Sequence, residues 1–138
     1  NKITMFSHTV SRVFFDSAQD KNDISERMFV MLKKEVAALL EQQINKEFYS
    51  AYLYLDMSNY YYSKNLDGFG NWFKIQAQEE RDHAMLFLTY LQNNGECPKL
   101  GAIDAPDKVY ESFRDPLAAS LVHEEYVTSL INAIYAEP

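Results

Sequence analysis

Cysteine, glycine and proline are scarce in this chain, and basic charge is in deficit. The single cysteine, Cys97, excludes an internal disulfide framework and suits a reducing cytosol. Four glycines and four prolines in 138 residues argue against a turn-rich β-sandwich and for long helices. Thirteen Lys and Arg against twenty Asp and Glu leave a net charge of −7, and no basic block argues for a nucleic-acid partner. No apolar run approaches the roughly 18 residues that a membrane-spanning helix needs. Hydrophobic residues make up 47% and charged residues 24%, so the chain can bury a core. Its length predicts one domain, since domains commonly run to about 100–200 residues.

The charge is uneven. Residues 1–30 hold four basic residues (Lys2, Arg12, Lys21, Arg27) and four acidic ones (Asp16, Asp20, Asp23, Glu26), so they are neutral overall. The whole −7 falls in residues 31–138, as nine bases against sixteen acids. Residues 1–15 carry two bases and no acid, but lack the apolar stretch of roughly 7–15 residues that a secretory signal requires. Residues 1–30 therefore read as an N-terminal extension outside the fold, and 31–138 as the domain.

Helical periodicity predicts a first helix from about Glu35 to Tyr62, with Val36, Leu40, Ile44, Ala51 and Leu55 as its stripe. Asn65-Leu66-Asp67-Gly68 reads as a short turn with Asp67 as N-cap. A second helix follows to about Gln92, with Phe73, Ala77, Ala84, Phe87 and Leu91 on one face and Asn93-Asn94-Gly95 as its stop. Residues 96–114 hold Pro98, Gly101 and Pro106 with weak periodicity. That stretch is long enough to run back along a helix and start the next one parallel to it. Asp115-Pro116 opens a third helix, with Leu117, Leu121, Thr128 and Ile131 inside. Two helices, a long crossover and a third helix predict an all-α fold with ferritin-type connectivity, a four-helix bundle of which three helices are present.

Polar residues interrupt each stripe at one level. Glu47 follows Leu40 and Ile44; Glu80 follows Phe73 and Ala77; Glu124 follows Leu117 and Leu121. His83 lies one turn after Glu80 on the same face. A buried carboxylate needs a partner or a metal, and three facing one interior repel unless cations or protons intervene. Hard oxygen ligands plus one imidazole suit iron or manganese, and Glu80-x-x-His83 has the i, i+3 spacing of carboxylate-bridged metal bundles. Spacing alone leaves open that each Glu lies at a solvated stripe edge. Glu79 reads equally as part of a peripheral metal site or as a solvated flank. Tyr54, two turns from Glu47, reads equally as a hydroxyl bonded to a ligand carboxylate, or an electron donor, and as a core residue. His8 and His123 read as surface residues, Glu125 as solvated, and Arg81 with Asp82 as a surface pair.

The segment Asn45-Lys46-Glu47-Phe48-Tyr49-Ser50-Ala51-Tyr52-Leu53-Tyr54-Leu55 resembles the first-helix signature of ferritins, and Ala77-Gln78-Glu79-Glu80-Arg81-Asp82-His83-Ala84 the second. Leu66-Asp67-Gly68-Phe69 and His123-Glu124-Glu125 fit as well, and the resemblance, closest to prokaryotic non-haem ferritins, spans about residues 31–137. It implies that Glu47, Glu80 and His83 hold a first iron, that Glu80 bridges, and that Glu124 holds a second. Tyr54 matches the tyrosine beside that centre, and Glu79 a third-site residue of some bacterial members. The implied activity is ferroxidase: Fe(II) is oxidised by O2 or H2O2, and ferric mineral is stored in the hollow of a self-associated 24-subunit shell in the cytoplasm. No haem is implied, because Arg81 stands where haem-binding members carry a ligating Met. The family's fourth helix has no counterpart here, so the sequence reads as C-terminally truncated. Activity is expected if that helix is supplied; the alternative is an inactive, co-assembling structural subunit.

Overall fold

The computed structural model describes residues 34–136, so the expectations for residues 1–30, His8 among them, lie outside the described residues. Three helices form there: α1 (Lys34–Ser63), α2 (Asp67–Asn93) and α3 (Arg114–Ala136). The fold is all-α, and among the described residues there is neither a strand nor a fourth helix.

The helix ends follow from local chemistry. Asn65 takes a left-handed φ of 58° after α1, and Gly95 one of 78° after α2. In each case two backbone bonds close the last turn. Leu66 N–H reaches Tyr61 C=O and Asn65 N–H reaches Tyr62 C=O; Glu96 N–H reaches Leu91 C=O and Gly95 N–H reaches Gln92 C=O. This pair of bonds satisfies carbonyls that a helix end otherwise orphans.

Both predicted N-caps shift. Leu66, not Asp67, occupies the cap position of α2, and no side chain caps it; Asp67 lies inside the first turn, where its charge still opposes the helix dipole. At α3 the Asp115 side chain reaches back. Its Oδ2 accepts from the backbone N–H of Glu111 (2.8 Å) and Ser112 (3.0 Å), and its Oδ1 accepts from Ser112 Oγ. Ser112 and Asp115 thus form the reciprocal half of a capping box, and these bonds hold the Asp115 carboxyl below its usual range.

The crossover retraces α1. Gly101 N–H bonds Asn45 Oδ1 near the start of the run, and the Tyr61 hydroxyl bonds the Phe113 carbonyl at its end (2.5 Å). Tyr110 meets Tyr60 edge-on between them. The chain therefore enters α3 beside the C-terminal end of α1 and runs back antiparallel to it, parallel to α2 as expected.

Burial explains the helix faces. α1 packs on α2 along its length and on α3, whereas α2 and α3 make no close backbone approach among the described residues. α1 is thus buried on two sides, and both Leu53 and Tyr54 are enclosed. Two apolar clusters result. Leu40, Ile44, Ala84, Phe87 and Leu91 form one; Leu53, Tyr54, Met57, Tyr61, Phe73 and Ala77 form the other. Each fully enclosed Leu, Ile or Phe contributes about 1.5–3 kcal/mol. Tyr61 stacks between Phe69 and Phe73, so the Tyr60-Tyr61-Tyr62 run serves packing.

Two stripe residues depart from expectation. Leu55 and Leu121 are exposed, and the α3 face turned to α1 carries Pro116, Ser120, Glu124 and Val127 instead. α3 has one helix to pack on, so only the residues in line with Glu124 are covered. Thr128 is half-buried, and Ile131 lies outside the described side chains.

Candidate metal centre

Between the two apolar clusters lies a polar layer. Glu47 and Ser50 come from α1, Glu80 and His83 from α2, and Glu124 from α3. Glu47 is 1%, Glu80 3%, Glu124 7% and His83 8% exposed, which rules out solvated stripe-edge carboxylates. The i, i+3 pair on α2 faces the mid-helix Glu of α1 because the two helices pack side by side.

Glu47, Glu80 and His83 each offer one ligand atom within 4.8 Å of the others. His83 Nδ1 lies 3.4 Å from Glu80 Oε2 and 3.8 Å from Glu47 Oε2. Gln43, one turn before Glu47, donates its Nε2 to Glu47 Oε1 at 3.0 Å and fixes that carboxylate's orientation. Glu47 Oε2 is buried and accepts no hydrogen bond from the described residues. A buried carboxylate oxygen left free while its twin is held fits a cation site.

Glu124 faces this trio from α3. The Tyr54 hydroxyl donates a hydrogen bond to its Oε1, and Glu124 lies close enough to Glu47 and His83 to feel their charge. The predicted ligands Glu47, Glu80 and His83 are therefore together, with Glu124 across from them and Tyr54 bonded to Glu124. Glu79 is half-buried on α2 outside the trio, and Glu125 is exposed. Arg81 and Asp82 pair loosely at 3.9 Å on the surface.

Within the layer, burial and neighbouring charge shift the titratable groups in opposite directions. Burial pushes Glu80 well above the usual carboxylate range, and neighbouring Glu47 adds to the effect. Burial alone would also raise Glu47, yet the neighbouring His83 and Glu80, with Gln43, keep it low. Burial disfavours the His83 cation, but the facing Glu47 and Glu80 carboxylates outweigh this and push it up to about 10. Burial raises Glu124, and burial plus the Glu124 and Glu80 charges raise the Tyr54 phenol. Protons and a bound cation would thus compete for the same carboxylates.

His123 corrects the surface assignment. It is half-buried, its Nε2 is 2.5 Å from Ser50 Oγ, and its ring meets Tyr49 and Tyr54. Its periodicity gave no signal, because it sits beside the stripe and the crossover, not a helix, helps to cover it. Gln43 was findable, being one turn from Glu47 on the same face.

In sequence and in fold the chain is similar to known proteins. The family model for the ferritin-like domain matches residues 37–137. A bacterial non-heme ferritin from Campylobacter jejuni is 40% identical over 104 residues, which cover 75% of this chain and 62% of that protein. A bacterial non-heme ferritin from Staphylococcus epidermidis is 37% identical over 98 residues, 71% of this chain and 59% of that protein. Among solved structures, an open pore ferritin from the hyperthermophilic archaeon Archaeoglobus fulgidus superposes with a TM-score of 0.73 at 36% identity, covering 75% of this chain and 63% of that one. The chain thus spans about three-fifths of the length of these relatives. On the match over 37–137 and the shared helix architecture, the chain belongs to the ferritin-like domain family.

Proposed function

We propose that this chain is a ferritin subunit that binds Fe(II) at the polar layer, oxidises it to Fe(III) with O2 or H2O2 and stores the product in a self-associated shell in the cytoplasm. The observation that carries the reading is the buried Glu47–Glu80–His83 trio with Glu124 opposite. Iron is the substrate. Glu47 and His83 would hold one ion, Glu80 would bridge and Glu124 would hold a second; Glu79 is assigned to a third position beside them. Anionic oxygen donors favour Fe(III) over Fe(II), which drives oxidation.

The chain's own groups have defined tasks. Gln43 holds Glu47 Oε1 and leaves Oε2 for the metal. Tyr54 holds Glu124 Oε1. Glu80 and His83 give up protons as the cations enter, so loading is linked to proton release. The Leu40–Leu91 cluster and the Leu53–Phe73 cluster close the layer to water on both sides.

A second reading is a catalytically inactive subunit that co-assembles with other subunits. It is favoured by Leu121 and Val122, which α3 leaves exposed for a neighbouring subunit to cover.

Fe(II) oxidation decides between them. The purified chain, mixed with Fe(II) in air, is expected to develop Fe(III) absorbance within seconds and to elute as an iron-filled particle on size exclusion. Glu47→Ala and His83→Ala are expected to abolish the fast phase with unchanged helix content. An oxidation rate equal to that of buffer, or one unaffected by both substitutions, removes the ferroxidase assignment.

A further inference from the structure

Tyr54 is not the end of the aromatic structure that begins at Glu124. The His123 ring lies 5.9 Å from the Tyr54 ring, centroid to centroid, nearly perpendicular to it. The same imidazole lies 5.9 Å from the Tyr49 ring and 6.4 Å from Tyr126. Its position is fixed, because Nε2 meets Ser50 Oγ at 2.5 Å and that hydroxyl is anchored on the Lys46 carbonyl at 2.9 Å. Tyr49, His123 and Tyr126 line a solvent-open cleft of about 390 Å³ between α1, the crossover and α3. Rings in contact thus run without a gap from the metal centre to this cleft.

We propose that Tyr49 is the outlet of a tyrosine relay, which carries oxidising equivalents from the metal centre through Tyr54 and across the His123 ring to the cleft. The proposal rests on the ferroxidase reading, with O2 as oxidant. Reduction of O2 to water takes four electrons, of which two Fe(II) ions at the centre and a third at the Glu79 position proposed above supply three. Tyr54 supplies a further electron to the oxygen-derived oxidant and passes its phenolic proton along the existing hydrogen bond to Glu124. Tyr49 then gives one electron to the Tyr54 radical, Glu124 returns the proton, and the Tyr49 proton leaves to water in the cleft. The sum is one Tyr49 hydrogen atom lost as electron plus proton, with Tyr54 restored. Tunnelling falls steeply with distance through saturated chain, so two short hops, Tyr54 to the oxidant and Tyr49 to Tyr54 across the imidazole, outrun one long one.

Local charge selects Tyr49 over Tyr126. Asp107, Asp104 and Asp56 surround Tyr49 with negative charge, which favours loss of an electron. Tyr126 has the Lys46 ammonium 6.0 Å over its ring, which opposes it.

Rapid-freeze electron paramagnetic resonance on the full chain, loaded anaerobically with Fe(II) and mixed with O2, tests the relay. The wild type should show a tyrosyl radical with Tyr49 hyperfine structure. Tyr49→Phe should replace it with a Tyr54 signal that decays at least tenfold more slowly, while Tyr126→Phe changes nothing. Tyr49→Trp should move the radical to an indole, which separates electron transfer from a packing effect. Identical spectra and decay in wild type and Tyr49→Phe, or no radical in either, overturn the relay and leave rapid oxidation, hence the ferroxidase reading, standing. A wild type that does not oxidise Fe(II) overturns both.

Discussion

The Tyr54 hydroxyl donates its hydrogen bond to Glu124 across 70 residues of sequence, and this bond ties α3 to α1 at the level of the polar layer. It has a structural consequence besides its place at the site. Hydrogen bonds to charged groups are worth about 1.5–3 kcal/mol, and α3 has few other anchors. Tyr54→Phe is expected to destabilise the metal-free fold by about 1–3 kcal/mol. Combining it with Glu124→Leu should cost at least about 1 kcal/mol less than the sum of the single changes. Urea unfolding of the four proteins measures the coupling, and strict additivity would deny it.

Glu47 and Glu80 sit in one cluster yet differ in charge, so their amide variants should differ in stability. Burial pushes Glu80 toward its neutral form, and Glu80→Gln puts a neutral hydrogen-bonding group in its place. Its cost should stay below about 1 kcal/mol. Glu47 is the ionised partner of His83, and Glu47→Gln leaves a buried imidazolium short of an anion. Breaking a buried pair from one side costs about 3–5 kcal/mol. Denaturant unfolding at pH 7 without metal gives the order, and equal costs would contradict the proton assignment. Both variants should lose Co(II) binding, since both remove a ligand.

The elevated His83 pKa sets the sign of the alkaline response. Its value is raised from 6.5 to about 10, burial being outweighed by Glu47 and Glu80. A group raised on folding binds its proton more tightly in the native state. Its stabilisation is therefore complete below about pH 6.5 and is lost as pH climbs toward about 10. The metal-free protein should weaken by a few kcal/mol over that window, and His83→Gln should flatten the slope. At neutral pH, filling the site should expel the Glu80 and His83 protons. Calorimetry of Co(II) binding in buffers of different ionisation enthalpy should count between one and two per site, and a count of zero would contradict it.

The polar layer was legible because Glu47, Glu80 and Glu124 each interrupt an apolar period, and a 3.6-residue repeat fixes which side chains share a face. α3 was legible only in part. Its stripe was read through Leu121 by hydrophobicity, yet a helix with one packed neighbour covers whichever narrow row faces that neighbour, here Ser120, Glu124 and Val127. His123 and Tyr49 depend on where the crossover lies, and an irregular segment carries no period to read. The cap of α3 was misplaced because Asp115 looks like an N-cap in sequence, whereas its carboxylate is used backwards on Glu111 and Ser112.

Two glycines at helix ends should respond oppositely to alanine. Gly68 lies in the first turn of α2 with a negative-φ backbone, and a Cβ there would meet nothing within 4 Å. Gly68→Ala should stabilise by about 0.4–1 kcal/mol, by restricting the unfolded chain and favouring the helix. Gly95 is equally open, but its φ of 78° is the left-handed conformation that closes α2. Alanine there costs roughly 1–2 kcal/mol, because its Cβ crowds a carbonyl in that region. It would also loosen the entry to the crossover whose Gly101 rests on Asn45. Thermal unfolding should raise the midpoint for Gly68→Ala and lower it for Gly95→Ala. A fall for both would mean that the first turn of α2 needs Gly68 for something other than helix formation.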